Sequence, residues 1–280
     1  MQLVFCCRPN NDLYVTVEKS FGAAVARFEN PRQAVLAAPS GGAVLILADE
    51  YPERMTPLSS DIFDRAAEKK LRLYIEFPSF LPGQDLGQPR GTSWERAVVA
   101  SDAFGPDLER LRILAVHGCR FVPVQAPNAH IVMARVAGFD KAIYGLPKET
   151  FPILFELPDR LSGAVMVSTT KLSQFITARY APSDAWSAIW QMILRWLQPG
   201  RPAHRLSWTP AVRPSYGKDV RLPRDFELEA LRRGVEWIFN ARMLVDPDSE
   251  RMYDGIVKQW PDRVGALCGP LERTAGARPA

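Results

Sequence analysis

The sequence is poor in the residues that announce the commonest chemistries. Its four cysteines, Cys6, Cys7, Cys119 and Cys268, show no CxxC spacing and fall far below the density of a disulfide-stapled secreted scaffold. A reduced compartment is the simpler reading. Three histidines, His117, His130 and His204, lie far apart with neither HxH nor HExxH spacing, so no metal centre is expected. Neither GxGxxG nor GxxxxGK(S/T) occurs, which leaves a nucleotide phosphate without a recognisable cradle and predicts no cofactor. No Lys/Arg run exceeds two residues, and the net charge of +4 is a small balance of 35 basic against 31 acidic side chains. A nucleic-acid partner therefore has no electrostatic footprint. No apolar stretch approaches a membrane span, and Met1 leads straight into QLVFCC with no basic leader, so no membrane partner and a cytoplasmic location are expected.

What the chain does have is an ordinary globular composition, 47% hydrophobic and 24% charged, over 280 residues, enough for a sizeable core. Its organising stretch is Gly42 to Pro52. Five apolar residues, Ala43 to Leu47, are too few for a free-standing helix and break abruptly into Asp49, Glu50 and Tyr51. A strand buried on both faces of a parallel sheet reads this way. Gln2–Cys7 is a second such run, ending in a polar loop from Arg8 to Asp12, and Leu71–Phe77 a third, carrying Glu76 at its exit. Between them, Asn30 and Pro31 are an N-cap and first position for a helix with Ala34, Val35 and Ala38 on one face. Ser59 or Ser60 opens another through Lys70, with Ile62, Phe63, Ala66 and Ala67 facing inward. Residues 20–28 carry no decisive pattern. Strand and helix alternating at this spacing predict an α/β fold with a right-handed, mainly parallel sheet. From Ala97 to Ser168 the chain is β-rich and reads as hairpins added to that core. Ser183 then caps a helix with Trp186, Ile189, Trp190, Ile193, Leu194 and Leu197 in one stripe, a core-packing pattern.

In an open parallel sheet, ligands bind beyond the carboxyl ends of the strands. The polar exits predict a shared groove of Arg8, Asn11, Asp12, Asp49, Glu50, Tyr51 and Glu76, with Lys171, Arg179 and Tyr180 as neighbours. Asp49, Glu50 and Glu76 are also candidates for paired carboxylates, as glycosidases use, or for an ion-paired rim with Arg8 or Arg179. Cys119 is a candidate nucleophile with His117 two residues away. Yet Arg120 and Phe121 follow it where an elbow needs small residues. A structural thiol is the competing reading.

LILADEYP, LRLYIEFPSFLPG, VAGFDKAIYGLP and STTKLSQFITARYAPSDAW, followed by the helix to Leu197, resemble the amino-terminal domain of large bacterial proteins related to six-hairpin glycosidases. That domain is similar to the ThuA-like and class I glutamine amidotransferase-like group. The resemblance implies a flavodoxin-like three-layer sandwich over residues 1–199; the Pro-rich composition of 200–223 reads as a linker, and 224–280 reads as a helical extension and tail whose first part resembles the start of an α/α toroid. It lacks the amidotransferase GxCxG elbow and downstream His-x-Glu, so that activity is not implied. Only Ile256 to Ala280 follow Gly255, too little for a toroid. The expected function is a non-catalytic domain of bacterial carbohydrate processing, binding a glycan or supporting a glycosidase-type catalytic domain. The alternative is a small hydrolase or sugar-isomerising enzyme using Glu76 or Cys119.

Overall fold

The computed structural model describes residues 3–22, 24–114, 119–157, 164–176 and 183–200, together with Leu206. The chain opens with strand β1 (Leu3–Cys6), helix α1 (Asp12–Phe21), strand β2 (Ala26–Phe28), helix α2 (Pro31–Ala37) and strand β3 (Ala43–Ile46). Helix α3 (Ser60–Glu68) and strand β4 (Arg72–Glu76) follow. Shorter strands come next: β5 (Arg90–Gly91), β6 (Arg96–Val99), β7 (Ile113–Leu114), β8 (Arg120–Phe121) and β9 (Ile131–Ala134). Strands β10 (Phe151–Glu156) and β11 (Ala164–Ser168) lead through a 3-10 turn at Leu172–Ile176 to helix α4 (Ser183–Leu197).

The protein is α/β, and its described residues build one nine-stranded sheet of order β2-β1-β3-β4-β11-β10-β9-β6-β7. Its first five strands are mutually parallel, and the last four are antiparallel to their neighbours. The antiparallel strands lie between β4 and β11 in sequence, so the hairpins expected as additions extend the same sheet. β5 and β8 pair separately as a two-stranded ribbon.

Period-two alternation sorts the parallel strands into two cores. Leu3, Phe5, Leu45, Tyr74 and Met166 face α1 and α4, whereas Val4, Cys6, Val44, Ile46, Ile75 and Val167 face α2 and α3. Both faces of the parallel strands are thus covered by helices, which explains why β3 reads as an unbroken apolar run. The largest side chains on the α4 side, Trp186 and Trp190, are fully buried, and Trp190 meets Tyr74 edge-on at 5.5 Å.

Local chemistry fixes the helix ends. Asn30 accepts from Arg32 N and Gln33 N at 2.9 and 3.3 Å, with Pro31 at the first position of α2. Helix α1, where the sequence pattern predicts only a polar loop and undecided chain, has the same device. Asn11 accepts from Leu13 N and Tyr14 N, and Gly22 closes the helix at φ +63. Two smaller expectations are corrected. Ala67 on α3 is exposed, because only Ile62, Phe63 and Ala66 fall on its buried stripe. Ser59 holds the expected N-cap position of α3, although its hydroxyl goes to Asp61 Oδ1 at 2.5 Å and not to a backbone N–H, whereas Ser183 stands inside α4 as its first residue.

Among the described residues no helix is long and apolar enough to cross a membrane. The expected linker beyond Gly200 and the helical extension lie outside the described residues, except that Leu206 is buried and belongs to the same core cluster as Trp186 and Trp190.

Candidate functional site

The order β2-β1-β3-β4-β11 reverses direction between β1 and β3: from β1 the chain winds outward to β2, then returns across the other face to β3. A crevice opens where two connections depart on opposite faces, and there open α/β sheets bind ligands. A cavity of about 270 Å³ occupies this point. Its floor is the strand tips, Cys6, Cys7, Ile46 and Leu47, and its wall is Met55 to Pro57. Arg8, Glu29, Asp49, Glu50 and Arg54 form a rim of both charge signs.

Hydrogen bonding holds that rim in place. Asp49 accepts from the Arg8 backbone N–H and from Asn11 Nδ2 at 2.8 Å, so one carboxylate ties the β3 exit to the β1 exit. Asn11 in turn caps α1, which couples the rim to a helix start. Glu50 is shared between Arg8 at 3.5 Å and Arg54 at 3.3 Å. These partners are about half exposed or more, so the pairs orient side chains more than they stabilise the fold. The loop carrying Arg54 is anchored to β4: Thr56 N donates to Phe77 O at 2.8 Å and Thr56 Oγ1 to Glu76 O at 2.6 Å.

The sequence-predicted groove therefore divides. Arg8, Asn11, Asp49 and Glu50 come together at the β1/β3 crevice, with Asn11 behind the rim. Asp12 does not line the cavity; it is exposed in the first turn of α1. Tyr51 turns to a neighbouring cluster, its hydroxyl accepting from Arg120 N at 2.6 Å and from Thr170 Oγ1 at 3.3 Å. Arg179, Tyr180 and His117 lie outside the described residues. Arg54 and Glu29 were missed; the one available signal was the four-residue spacing of Glu50 and Arg54, which suits a helical turn.

Glu76 does not sit at an open edge; it is fully buried between β4 and the turn at Leu172–Ile176. Its carboxylate accepts from Ser173 N (2.7 Å), Ser173 Oγ (2.8 Å), Tyr74 OH (3.1 Å) and Ala48 N (3.3 Å). Burial pushes its pKa above the ordinary carboxylate value, opposed by the Ser173 donors, the charge of half-buried Lys171 and Ala48 N. Lys171 thus acts on Glu76, without lining the cavity. Cys119 is likewise buried, with Gln174 Nε2 at 3.6 Å from its sulfur, and burial pushes the thiol up to about 12. A thiol so placed is almost wholly protonated at neutral pH. Cys6 is raised to about 12 and Cys7 higher than its ordinary value for the same reason. Neither Glu76 nor Cys119 lines the cavity.

The tip of β4 has a strained turn, Phe77 at φ +47. Hydrolases of the α/β type carry their nucleophile on a strained turn at a strand's end. Here that position holds a buried phenyl ring, edge-on to Tyr51 at 5.0 Å and 81°.

No protein-family model matches this chain, and no curated protein matches it.

The crevice offers hydrogen-bond donors and acceptors over an apolar floor, and among the described residues that line it none is an activated nucleophile. Among the described residues no group of three or more His, Cys, Asp or Glu is placed to hold a metal ion.

Proposed function

We propose that the β1/β3 crevice binds a carbohydrate without cleaving it, and that the chain serves bacterial carbohydrate processing beside a glycosidase-type catalytic domain. In this reading the sheet with its two helical layers is a flavodoxin-like three-layer sandwich of the ThuA-like and amidotransferase-like kind. The strand order of the parallel half supports it, because β2-β1-β3-β4-β11 is the 2-1-3-4-5 order of flavodoxin-like sheets.

The observation that carries the ligand class is the rim of Arg8, Asp49, Glu50 and Arg54 above an apolar floor and wall. Carboxylate and guanidinium groups together match vicinal hydroxyls, which both donate and accept, while Met55 and Pro57 offer surface to the C–H face of a sugar ring. A volume of about 270 Å³ suits one sugar unit rather than an enclosed chain, since pockets for drug-sized ligands span about 300–1,000 Å³. Oligosaccharides would enter end-on, with the remaining units in solvent.

Isothermal titration of the full chain with a panel of mono- and oligosaccharides tests the proposal. Binding with Kd below about 1 mM is expected for at least one sugar. Glu50→Ala and Arg54→Ala should each weaken that binding by about tenfold, equivalent to about 1.4 kcal/mol. Absence of binding across the panel at millimolar concentration would leave the domain a purely structural support.

A further inference from the structure

The sheet's other edge carries a constellation unrelated to the crevice. β10 runs antiparallel to β11, so its last residue, Glu156, emerges beside the amino-terminal ends of the parallel strands. His130 immediately precedes β9, and Ser101 lies two residues beyond β6; the antiparallel pairing of β6, β9 and β10 brings all three to this edge. Ser101 Oγ is 2.9 Å from His130 Nδ1, and His130 Nε2 is 3.2 Å from Glu156 Oε1.

Each member is held from outside the triplet. His130 N donates to Leu154 O at 2.7 Å and His130 O accepts from Ala100 N at 2.8 Å, so both neighbouring strands grip its backbone. The ring meets buried Phe104 edge-on at 6.3 Å. Trp196 Nε1, from the last turn of α4, donates to Glu156 Oε2 at 2.9 Å and leaves Oε1 for the histidine. Ala103 N donates to Ser101 Oγ at 3.3 Å.

For a neutral ring these contacts suit one tautomer. An ionised Glu156 only accepts, so Nε2 carries a proton toward it. In the neutral ring Nδ1 is then a bare acceptor. Ser101 Oγ already receives the Ala103 N–H, so its own proton is free to point at Nδ1. A hydroxyl donating to an imidazole that a carboxylate orients is the arrangement that activates a serine. The His130 side chain is 15% exposed and that of Glu156 45%, and Ser101 is half-buried, so the site is open to solvent.

We propose that Ser101, His130 and Glu156 form a second site that transfers acyl groups from small esters to water. Ser101 Oγ bonds to the ester carbonyl carbon while its proton passes to His130 Nδ1. The bond from that carbon to the alkoxy oxygen breaks, and the departing oxygen takes the proton from Nδ1 and leaves as the alcohol. Water then attacks the acyl-serine, giving its proton to Nδ1. The bond to Oγ breaks, Oγ recovers a proton from His130, and the acid departs. Glu156 is a positioning residue, holding the ring through Nε2.

The test is covalent labelling of the full chain by an alkyl fluorophosphonate, read by intact mass and peptide mapping, with p-nitrophenyl acetate hydrolysis measured in parallel. The expected result is one adduct on Ser101, absent in Ser101→Ala. Labelling and kcat/KM should both fall about 100-fold in His130→Gln, since general-base assistance contributes about 10²–10⁴-fold. Glu156→Gln should slow labelling about tenfold and Glu156→Asp should restore part of the rate, a rescue that loss of packing would not produce. Thermal melts of each variant separate lost reactivity from lost fold, and an unfolded His130→Gln leaves the Glu156 pair to decide. No adduct on wild-type Ser101, an adduct rate unchanged in folded His130→Gln, or equal rates for Glu156→Gln and Glu156→Asp would overturn the proposal. Sugar binding at the crevice is read separately by titration, so the two assignments stand or fall independently.

Discussion

Replacing Glu76 probes how this fold tolerates a fully buried carboxylate. The side chain accepts four hydrogen bonds, two of them from the backbone N–H groups of Ser173 and Ala48, which cannot rotate to other partners. Glu76→Ala strands both. An unsatisfied buried donor costs about 1–3 kcal/mol, so about 3–5 kcal/mol is expected in all, including the cavity left behind. Glu76→Gln is milder. Its amide oxygen can keep Ser173 N and Tyr74 OH, and the Ser173 hydroxyl can turn to accept from the new NH2. Only the 3.3 Å bond from Ala48 N is lost, for about 1 kcal/mol. The pH dependence discriminates further. Because burial raises the Glu76 pKa in the folded protein, the folded state holds this proton more tightly than the unfolded chain does. Stability is then fully present below the unfolded value of 4.5 and falls as pH rises toward and through the folded value, by at most about 1.4 kcal/mol per pH unit. The substituted amide cannot titrate, so the deficit of Glu76→Gln should shrink as pH rises. Urea unfolding followed by tryptophan fluorescence at pH 4 and pH 8 measures it. A deficit that widens at pH 8 would refute the reasoning, because it would mean that the donors outweigh burial and hold the carboxylate ionised.

Two further outcomes follow from other buried groups. Burial works against the ionised Glu95, yet the Ser93 N–H (2.9 Å), the Arg135 guanidinium and the Trp94 N–H hold its pKa at about 2; its contribution is present above the unfolded value of 4.5 and lost as pH falls through about 2, so Glu95→Gln should narrow the difference between melts at pH 6 and pH 2.5. In a Cys268→Ser background, Cys6, Cys7 and Cys119 should react with a disulfide reagent at pH 8 only after urea is added, since all three are buried free thiols with raised pKa values; rapid reaction in the native state would contradict their placement.

Much of the scaffold is written locally. Ala43 to Leu47 reads as a strand buried on both faces because that is what packing between two helical layers demands, and the structure covers both faces. Asn30 and Pro31 mark a helix start because capping needs only residues three apart. Helix α1 was legible too, in the Asn11 cap, the Leu13, Tyr14 and Val17 stripe and Gly22, but the polar Arg8 to Asp12 stretch reads equally as a ligand loop. The polar exits of β1 and β3 share an edge as expected, since parallel strands must point their carboxyl ends one way.

The alternation of strand and helix, the apolar stripes and the caps are short-range properties, and the amino-acid order by itself determined them. Whether a carboxylate at a strand's end meets solvent or the core depends on which distant segment crosses above it. For Glu76 that segment is Ser173, 97 positions away. Likewise Ser101, His130 and Glu156 are separated by 29 and 26 residues and share no motif. Only the antiparallel register of β6, β9 and β10 places them within hydrogen-bond reach, because strand pairing converts sequence separation into a spacing of a few ångströms.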